Sequence, residues 1–186
     1  MRRRLPPEMP LPGPIEPRTR YPDPVAQFIT SAEFVGGRAI VVPEASEIDQ
    51  RLSELPAWTA ARKTISLVPG VGRSTFDLAA VADPHTLEDV DFAILSGQFG
   101  VAENAAIWID DAQLKHRVLP FITQHLSLVI SRGEIVNTMH EAYDRLRFDA
   151  ARFGTFISGP SKTADIEQSL VIGAHGPRSL TVFIVG

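Results

Sequence analysis

The chain contains no cysteine. Disulfides, a thiolate nucleophile, a thiolate-bound iron–sulfur cluster and a four-cysteine zinc site are therefore all excluded. No stretch approaches 18 consecutive apolar residues, so no membrane span is predicted. The nucleotide fingerprints are missing too. No glycine loop has P-loop spacing, and no G-x-G-x-x-G follows the first predicted strand. The five histidines, His85, His116, His125, His140 and His175, include no His-x-x-x-His pair and no H-E-x-x-H, so they offer no metal-ligand pattern. Ser96, Ser158 and Ser161 lack the G-x-S-x-G context of a serine hydrolase. Neither charge sign dominates. The net charge of −4 speaks against a nucleic-acid partner.

What remains is an ordinary globular composition: 186 residues, 44% apolar and 22% charged, enough for one domain with a sizeable core. The prolines are unevenly spread. Eight of the fifteen lie in the first 24 residues, where five arginines face three carboxylates for a net of +2, leaving −6 for the remainder. Proline fixes φ and removes a backbone donor, so this head joins neither a helix nor a central strand. Residues 1–20 are read as an extended or disordered tail, and 21–186 as a single domain. The Arg2-Arg3-Arg4 start has no apolar stretch after it and is not a signal peptide.

Downstream, strands and helices alternate. Asp23-Pro24 opens a helix stopped by Gly36-Gly37. Arg38–Val42, Thr64–Val68, Asp91–Leu95, Ala105–Ile109, Leu126–Ile130, Thr155–Ile157 and Leu180–Val185 read as strands. Ser46 with Asp49 predicts a capping box and a helix to about Leu55. Helical turns are expected around Phe76–Ala82 and Pro84–Asp89, a long amphipathic helix over Glu134–Ala151 and another over Ala164–Leu170. The strands are solid apolar runs rather than alternating ones, the mark of a sheet covered on both faces. The expectation is an α/β domain with a largely parallel sheet, made mixed by the short link between the Leu95 and Ala105 strands.

Ligands of open α/β sheets bind beyond the carboxyl ends of strands, which directs attention to the glycine-bearing loops there. These are Pro69–Ser74, Ser96–Gly100 (with Gly97) and Ser158–Thr163. The last runs from a strand into a predicted helix and carries Gly159, Ser161, Lys162 and Thr163. Helix N–H groups, two hydroxyls and an ammonium would together hold an anion; the plainer alternative is a tight turn with a Ser or Thr cap. Glu103-Asn104 follows a glycine loop, where a carboxylate serves as nucleophile, general base or turn residue. His175-Gly176-Pro177 is a turn able to bring an imidazole near Ser158–Thr163.

The stretch 157–185 is similar to the C-terminal signature of the LUD-domain family, which includes the lactate utilisation protein C group. The matching runs are Gly159-Pro160-Ser161-Lys162-Thr163-Ala164-Asp165-Ile166-Glu167 and Gly173-Ala174-His175-Gly176-Pro177, followed by a final strand. Asp91–Trp108 resembles the family more loosely. The resemblance implies a three-layer α/β/α sandwich with a mixed, mostly parallel sheet, similar to the NagB/RpiA/CoA-transferase-like fold. It also implies a cytoplasmic accessory role in oxidising L-lactate to pyruvate, beside partner proteins that carry the iron–sulfur clusters. This chain would bind a small anionic ligand, with Gly159, Ser161, Lys162, Thr163, Asp165, Glu167, His175, Gly97 and Asn104 as its candidate residues and no cofactor or metal of its own. CoA-transferases of similar fold use the glutamate of a Ser-Glu-Asn-Gly motif as nucleophile. Here the run is Ala102-Glu103-Asn104-Ala105, which keeps Glu103 as a candidate catalytic residue but lacks the glycine that admits close approach. A CoA-transferase-like or sugar-phosphate enzyme and a purely structural interaction module are the alternatives.

Overall fold

The computed structural model describes residues 13, 18–112, 114–146, 153–164 and 170–186. Helix α1 (Pro24–Phe34) begins as its sequence dictates. The Asp23 carboxylate accepts the N–H groups of Val25 and Ala26, both at 3.0 Å, and Pro24 needs no partner at the first position. Phe28 and Ala32 form its buried stripe. The first crossover runs from β1 (Arg38–Val42) through α2 (Ile48–Ser53) and α3 (Pro56–Ala60) to β2 (Thr64–Ser66). Next come β3 (Phe92–Ser96), β4 (Phe99–Val101), β5 (Ala106–Asp110), α4 (Leu119–Ile122) and β6 (His125–Ser131). The chain continues through β7 (Ile135–Val136), α5 (Met139–Arg145), β8 (Gly154–Ile157), β9 (Lys162–Ala164) and β10 (Leu170–Ile172) to β11 (Ser179–Val185).

The central sheet has the order β1-β11-β6-β3-β2, with every pairing parallel. Its alternating side chains build two cores. Phe92, Ile94 and Phe183 pack against Ile48, Leu52 and Trp58 of α2 and α3. Ala93, Leu95, Leu126, Leu128, Val182 and Ile184 face the other way, onto α1 and a second sheet. Phe28, Phe92 and Phe183 are fully buried, and each such side chain is worth about 1.5–3 kcal/mol of transfer free energy. The second sheet has the order β7-β4-β5-β8 and mixes parallel and antiparallel pairs. Its outer face, with Phe99, Val101 and Trp108, is covered by α5. The molecule is therefore an α/β sandwich whose central sheet is parallel; among the described residues antiparallel pairing is confined to the second sheet and the β9–β10 pair. Among the described residues no helix is long and apolar enough to cross a membrane.

Four local expectations change. The Ser46–Asp49 capping box does not form, because Ser46 Oγ donates to Glu44 while the Asp49 carboxylate accepts the Gly72 N–H at 2.6 Å. Phe99–Val101, read as loop, is a strand. The long helix shrinks to α5, because Ile135–Val136 pairs with β4 and the helix starts later, at an N-cap on Thr138. Thr138 Oγ1 accepts the Glu141 N–H, and the Glu141 carboxylate accepts the Asn137 N–H at 2.8 Å. Residues 147–152, the end of that expected helix, lie outside the described residues. Finally, Ala164 and Leu170, the ends of the predicted C-terminal helix, pair with each other in the β9–β10 hairpin. Nearly all of the expected tail lies outside the described residues; at its end Arg18 is ion-paired with Asp144, and the Tyr21 N–H donates to Asn137 Oδ1 at 2.8 Å.

Candidate functional site

The two stretches of the C-terminal signature fold onto each other. The chain leaves β8, turns at Ser158-Gly159-Pro160 and enters β9. After β10 it returns along residues 173–177 to the same place. The Ser161 N–H donates to the Pro177 carbonyl at 2.8 Å, and the Gly173 N–H donates to the Ser161 carbonyl at 2.8 Å. Gly176 lies flat on Ser161, where a Cβ would stand 3.0 Å from the Ser161 Cβ. The turn at His175 thus does meet the Ser158–Thr163 loop, as the spacing suggested, and His175 itself is exposed.

This clasp sits on the C-terminal turn of α1. Gly159, at φ +71°, approaches so closely that a Cβ there would meet the Val35 carbonyl oxygen at 2.8 Å. The Lys162 side chain lies beside Gly36, at a helix end whose carbonyl dipoles favour a cation. Two expectations are corrected here. Lys162 and Thr163 open a strand, so the helix N-terminus that would have cradled an anion is not formed. The clasp also lies at the amino-terminal edge of the parallel sheet, beside Gly37 and Leu180, and not at its carboxyl edge. Asp165 and Glu167 lie outside the described residues.

Glu103 and Asn104 form the turn between β4 and β5. Ser158 Oγ donates to the Asn104 carbonyl at 2.6 Å, which ties this turn to the clasp, and Ser31 Oγ of α1 donates to the Ala102 carbonyl at 2.8 Å. Ala105 holds φ +54°, the left-handed conformation that a glycine would adopt there. The Glu103 carboxylate is engaged elsewhere. Its Oε1 accepts the Met139 N–H at 3.1 Å, at the first turn of α5. Gly97 stands between the two sheets, where a Cβ would meet Ile107 Cγ2 at 2.4 Å and Ile130 Cγ2 at 2.7 Å. Packing alone demands glycine at that position. Among the described residues no group of three His, Asp or Glu side chains is placed to hold a metal.

At the carboxyl edge, a cavity of about 90 Å³ is lined by Leu67, Leu95, Ser96, Gln98 and Asp110. Its one formal charge is negative and already accepts from the Gln98 amide, which makes it a poor host for an anion. A cleft of about 430 Å³ opens at the amino edge, beside the clasp. Ala57 and Ala60 of α3, together with Ala61, form one wall, and Asp91, His125 and Arg178 form another. His125 Nδ1 is 2.8 Å from Ser179 Oγ, a contact made by the parallel register of β6 and β11. The Phe92 ring stacks on the imidazole at 6.1 Å. Burial, reinforced by the Arg178 charge and opposed by Asp91, holds the His125 pKa below its ordinary value, so the ring is neutral at pH 7. The Asp91 carboxylate is held below its usual range by the Lys63 and Arg62 backbone N–H groups that it accepts, at 2.9 and 2.7 Å. Arg178 is exposed, and its stem lies over Gly173, where a Cβ would stand 2.4 Å from the Arg178 Cγ.

His125, Ser179 and Arg178 escaped the sequence reading. Arg178 follows the Gly-x-His-Gly-Pro run directly, which was the available signal. Nothing in local spacing links it to a histidine more than 50 positions earlier.

Comparison with known proteins agrees with this architecture. A family model for the LUD domain matches residues 81–185. A lactate utilization protein C from Geobacillus kaustophilus is 26% identical over 163 residues, covering 83% of this chain and 65% of that protein. Another from Deinococcus radiodurans is 35% identical over 106 residues, covering 55% of this chain and 50% of its own length. The chain thus spans about two thirds or less of the length of these curated relatives. A crystal structure of a duf162 family protein from Deinococcus radiodurans superposes with a TM-score of 0.64 at 22% identity, over 88% of this chain and 96% of that one.

Proposed function

The chain belongs to the LUD domain family, and from that premise we propose that it is an accessory component of L-lactate utilisation. It acts beside iron–sulfur partner proteins that take up the electrons released as lactate is oxidised to pyruvate, and it binds a small anionic ligand beside the clasp. The observation that carries this reading is the clasp itself. The two stretches shared with the family are hydrogen-bonded to each other through Ser161 and present Lys162, His175 and Arg178 at the surface. A chain without cysteine contributes no thiolate ligand to a cluster, which supports a division of labour in which redox cofactors sit in partners. The relatives named for lactate utilization support the pathway.

Deletion of the gene tests the proposal. Growth on L-lactate as sole carbon source should be lost or slowed, with growth on other carbon sources intact, and the wild-type chain should restore it. A Gly176→Val chain, which drives a branched side chain into Ser161, should restore it poorly. Unimpaired growth of the deletion strain on lactate would end this reading.

A further inference from the structure

We propose that the amino-edge cleft is a binding site for small 2-hydroxy- or 2-oxocarboxylates, with Arg178 pairing with the carboxylate and His125 Nε2 meeting the oxygen on C2. The choice of this class among small carboxylates rests on the lactate-utilisation reading; the placement of the site rests on the cleft.

Three features support the placement. The first is a guanidinium without an ion pair among the described residues, standing at the mouth of the cleft. Its planar fork matches a carboxylate in a way that an ammonium does not. Its position is built in, because Gly173 leaves room for the stem and the Arg178 N–H donates to the Gln124 carbonyl at 2.8 Å. This gives the first glycine of the Gly-x-His-Gly-Pro run a purpose that reaches beyond its own turn.

The second feature is the imidazole. Ser179 on one nitrogen and Phe92 against the face fix the ring, and Nε2 has no hydrogen-bond partner among the described residues. If the Ser179 hydroxyl donates to Nδ1, Nε2 carries the proton and donates to a keto oxygen. If Nδ1–H donates to Ser179, Nε2 accepts from a hydroxyl. Either tautomer therefore suits one member of the proposed class. Deeper on the same face of β6, Ser127 is fully buried, and its hydroxyl has no partner among the described residues.

The third feature is the balance of charge and shape. Of the acidic groups on the rim, Asp91 is held by two backbone N–H groups and Asp89 is paired with the Lys63 ammonium. The hydrogen-bonded Asp91 carboxylate stays ionised, so it and exposed Glu88 are the charges that oppose an anion, with the Arg178 guanidinium facing them. The alanine wall is shallow and apolar, a fit for a substituent as small as methyl.

The test is titration of the full chain by NMR or calorimetry with L-lactate, pyruvate, propionate and inorganic phosphate. Lactate or pyruvate should saturate the site. Propionate, which lacks the C2 oxygen, should bind at least about fivefold more weakly, the worth of one hydrogen bond. Arg178→Gln should weaken binding by roughly tenfold or more, as expected for a lost charge-assisted pair. His125→Phe should erase the preference over propionate, and Glu88→Gln should tighten binding. The site is overturned by no saturable response, by an unaffected Arg178→Gln chain, or by propionate or phosphate binding as well as pyruvate. If the deletion strain fails on lactate while none of these acids binds, the cleft proposal falls and the pathway reading stands. If they bind while the deletion strain grows normally, the pathway reading falls and the cleft stands.

Discussion

Gly159 and Gly70 offer a matched pair for asking what seats the clasp on α1. Their backbones are nearly identical, at φ +71° and φ +73°. Their surroundings are not: a Cβ on Gly70 meets nothing within 4 Å, whereas one on Gly159 meets the Val35 carbonyl oxygen at 2.8 Å and Val35 Cγ2 at 2.9 Å. Substitution by alanine therefore applies the same backbone term to both and a contact term to one. The left-handed conformation costs alanine about 1–2 kcal/mol, and the stiffer unfolded chain returns roughly 0.5–1 kcal/mol of it. Gly70→Ala should then destabilise by about 0.5–1 kcal/mol. For Gly159→Ala the carbonyl oxygen belongs to the end of a helix and cannot rotate away, so a further overpacking cost of about 1–3 kcal/mol applies.

The total for Gly159→Ala is about 1.5–4 kcal/mol, or roughly 3–16 °C in melting temperature for a chain of this length. Gly70→Ala should lower the melting temperature by only about 1–4 °C on the same scale. Thermal and urea denaturation of both variants measure the difference directly. Equal costs for the two, within about 0.5 kcal/mol, would refute the close seating of Gly159 on α1 and with it the geometry of the clasp.

Glu103→Gln keeps an acceptor for the Met139 N–H and should change stability little, whereas Glu103→Ala should cost about 1 kcal/mol, the usual worth of an acceptor at a helix start; urea denaturation in which the two variants behave alike would contradict a structural role for that carboxylate. Gly97→Ala should cost about 1–3 kcal/mol through overpacking against Ile107 and Ile130, and should leave ligand titrations unchanged, since the position serves packing. The pH dependence follows from His125, whose neutral form the fold favours. Stability from this group is intact above the unfolded pKa of about 6.5 and declines as pH falls below it, because the unfolded chain then binds the extra proton. His125→Gln should flatten that part of the stability profile, and Arg178→Gln should move the His125 ring titration upward in an NMR experiment. Asp91 acts in the same sense over a more acidic range: its contribution is present above pH about 4 and is lost progressively as the pH falls from there through its lowered pKa.

The parts of the fold that could be read from sequence are those whose cause is local or compositional. Strands β3, β6 and β11 are buried on both faces, so their apolar runs announce them without any periodicity. α1 carries its start signal in Asp23-Pro24 and its stop in Gly36-Gly37. The failures share a different cause. Ile135, Met139, Ala142 and Leu146 keep a helical spacing, yet Ile135–Val136 is recruited by β4, a pairing that local periodicity cannot foresee. The Ala164–Leu170 segment is composed like a helix, but its ends pair as strands.

The site divides in the same way. The signature stretches were legible as strings, and the glycine-rich turn at His175 even indicated that they would meet. Their position at the amino edge was not legible, because it depends on β8 joining the second sheet through β5 while β11 joins the first. The neighbours of Arg178 are likewise a product of register. Ser179 faces His125, and His125 faces Phe92, only in the parallel alignment of β11, β6 and β3. A shift of one residue between β6 and β11 would turn Ser179 away and set Leu180 opposite the imidazole. Since Leu126, Leu128, Leu180 and Val182 must all point into one core, that shift would also expose a row of core side chains. The apolar packing that defines the sheet therefore also holds the His125–Ser179 pair together, and the polar pair needs no local motif of its own to be specified.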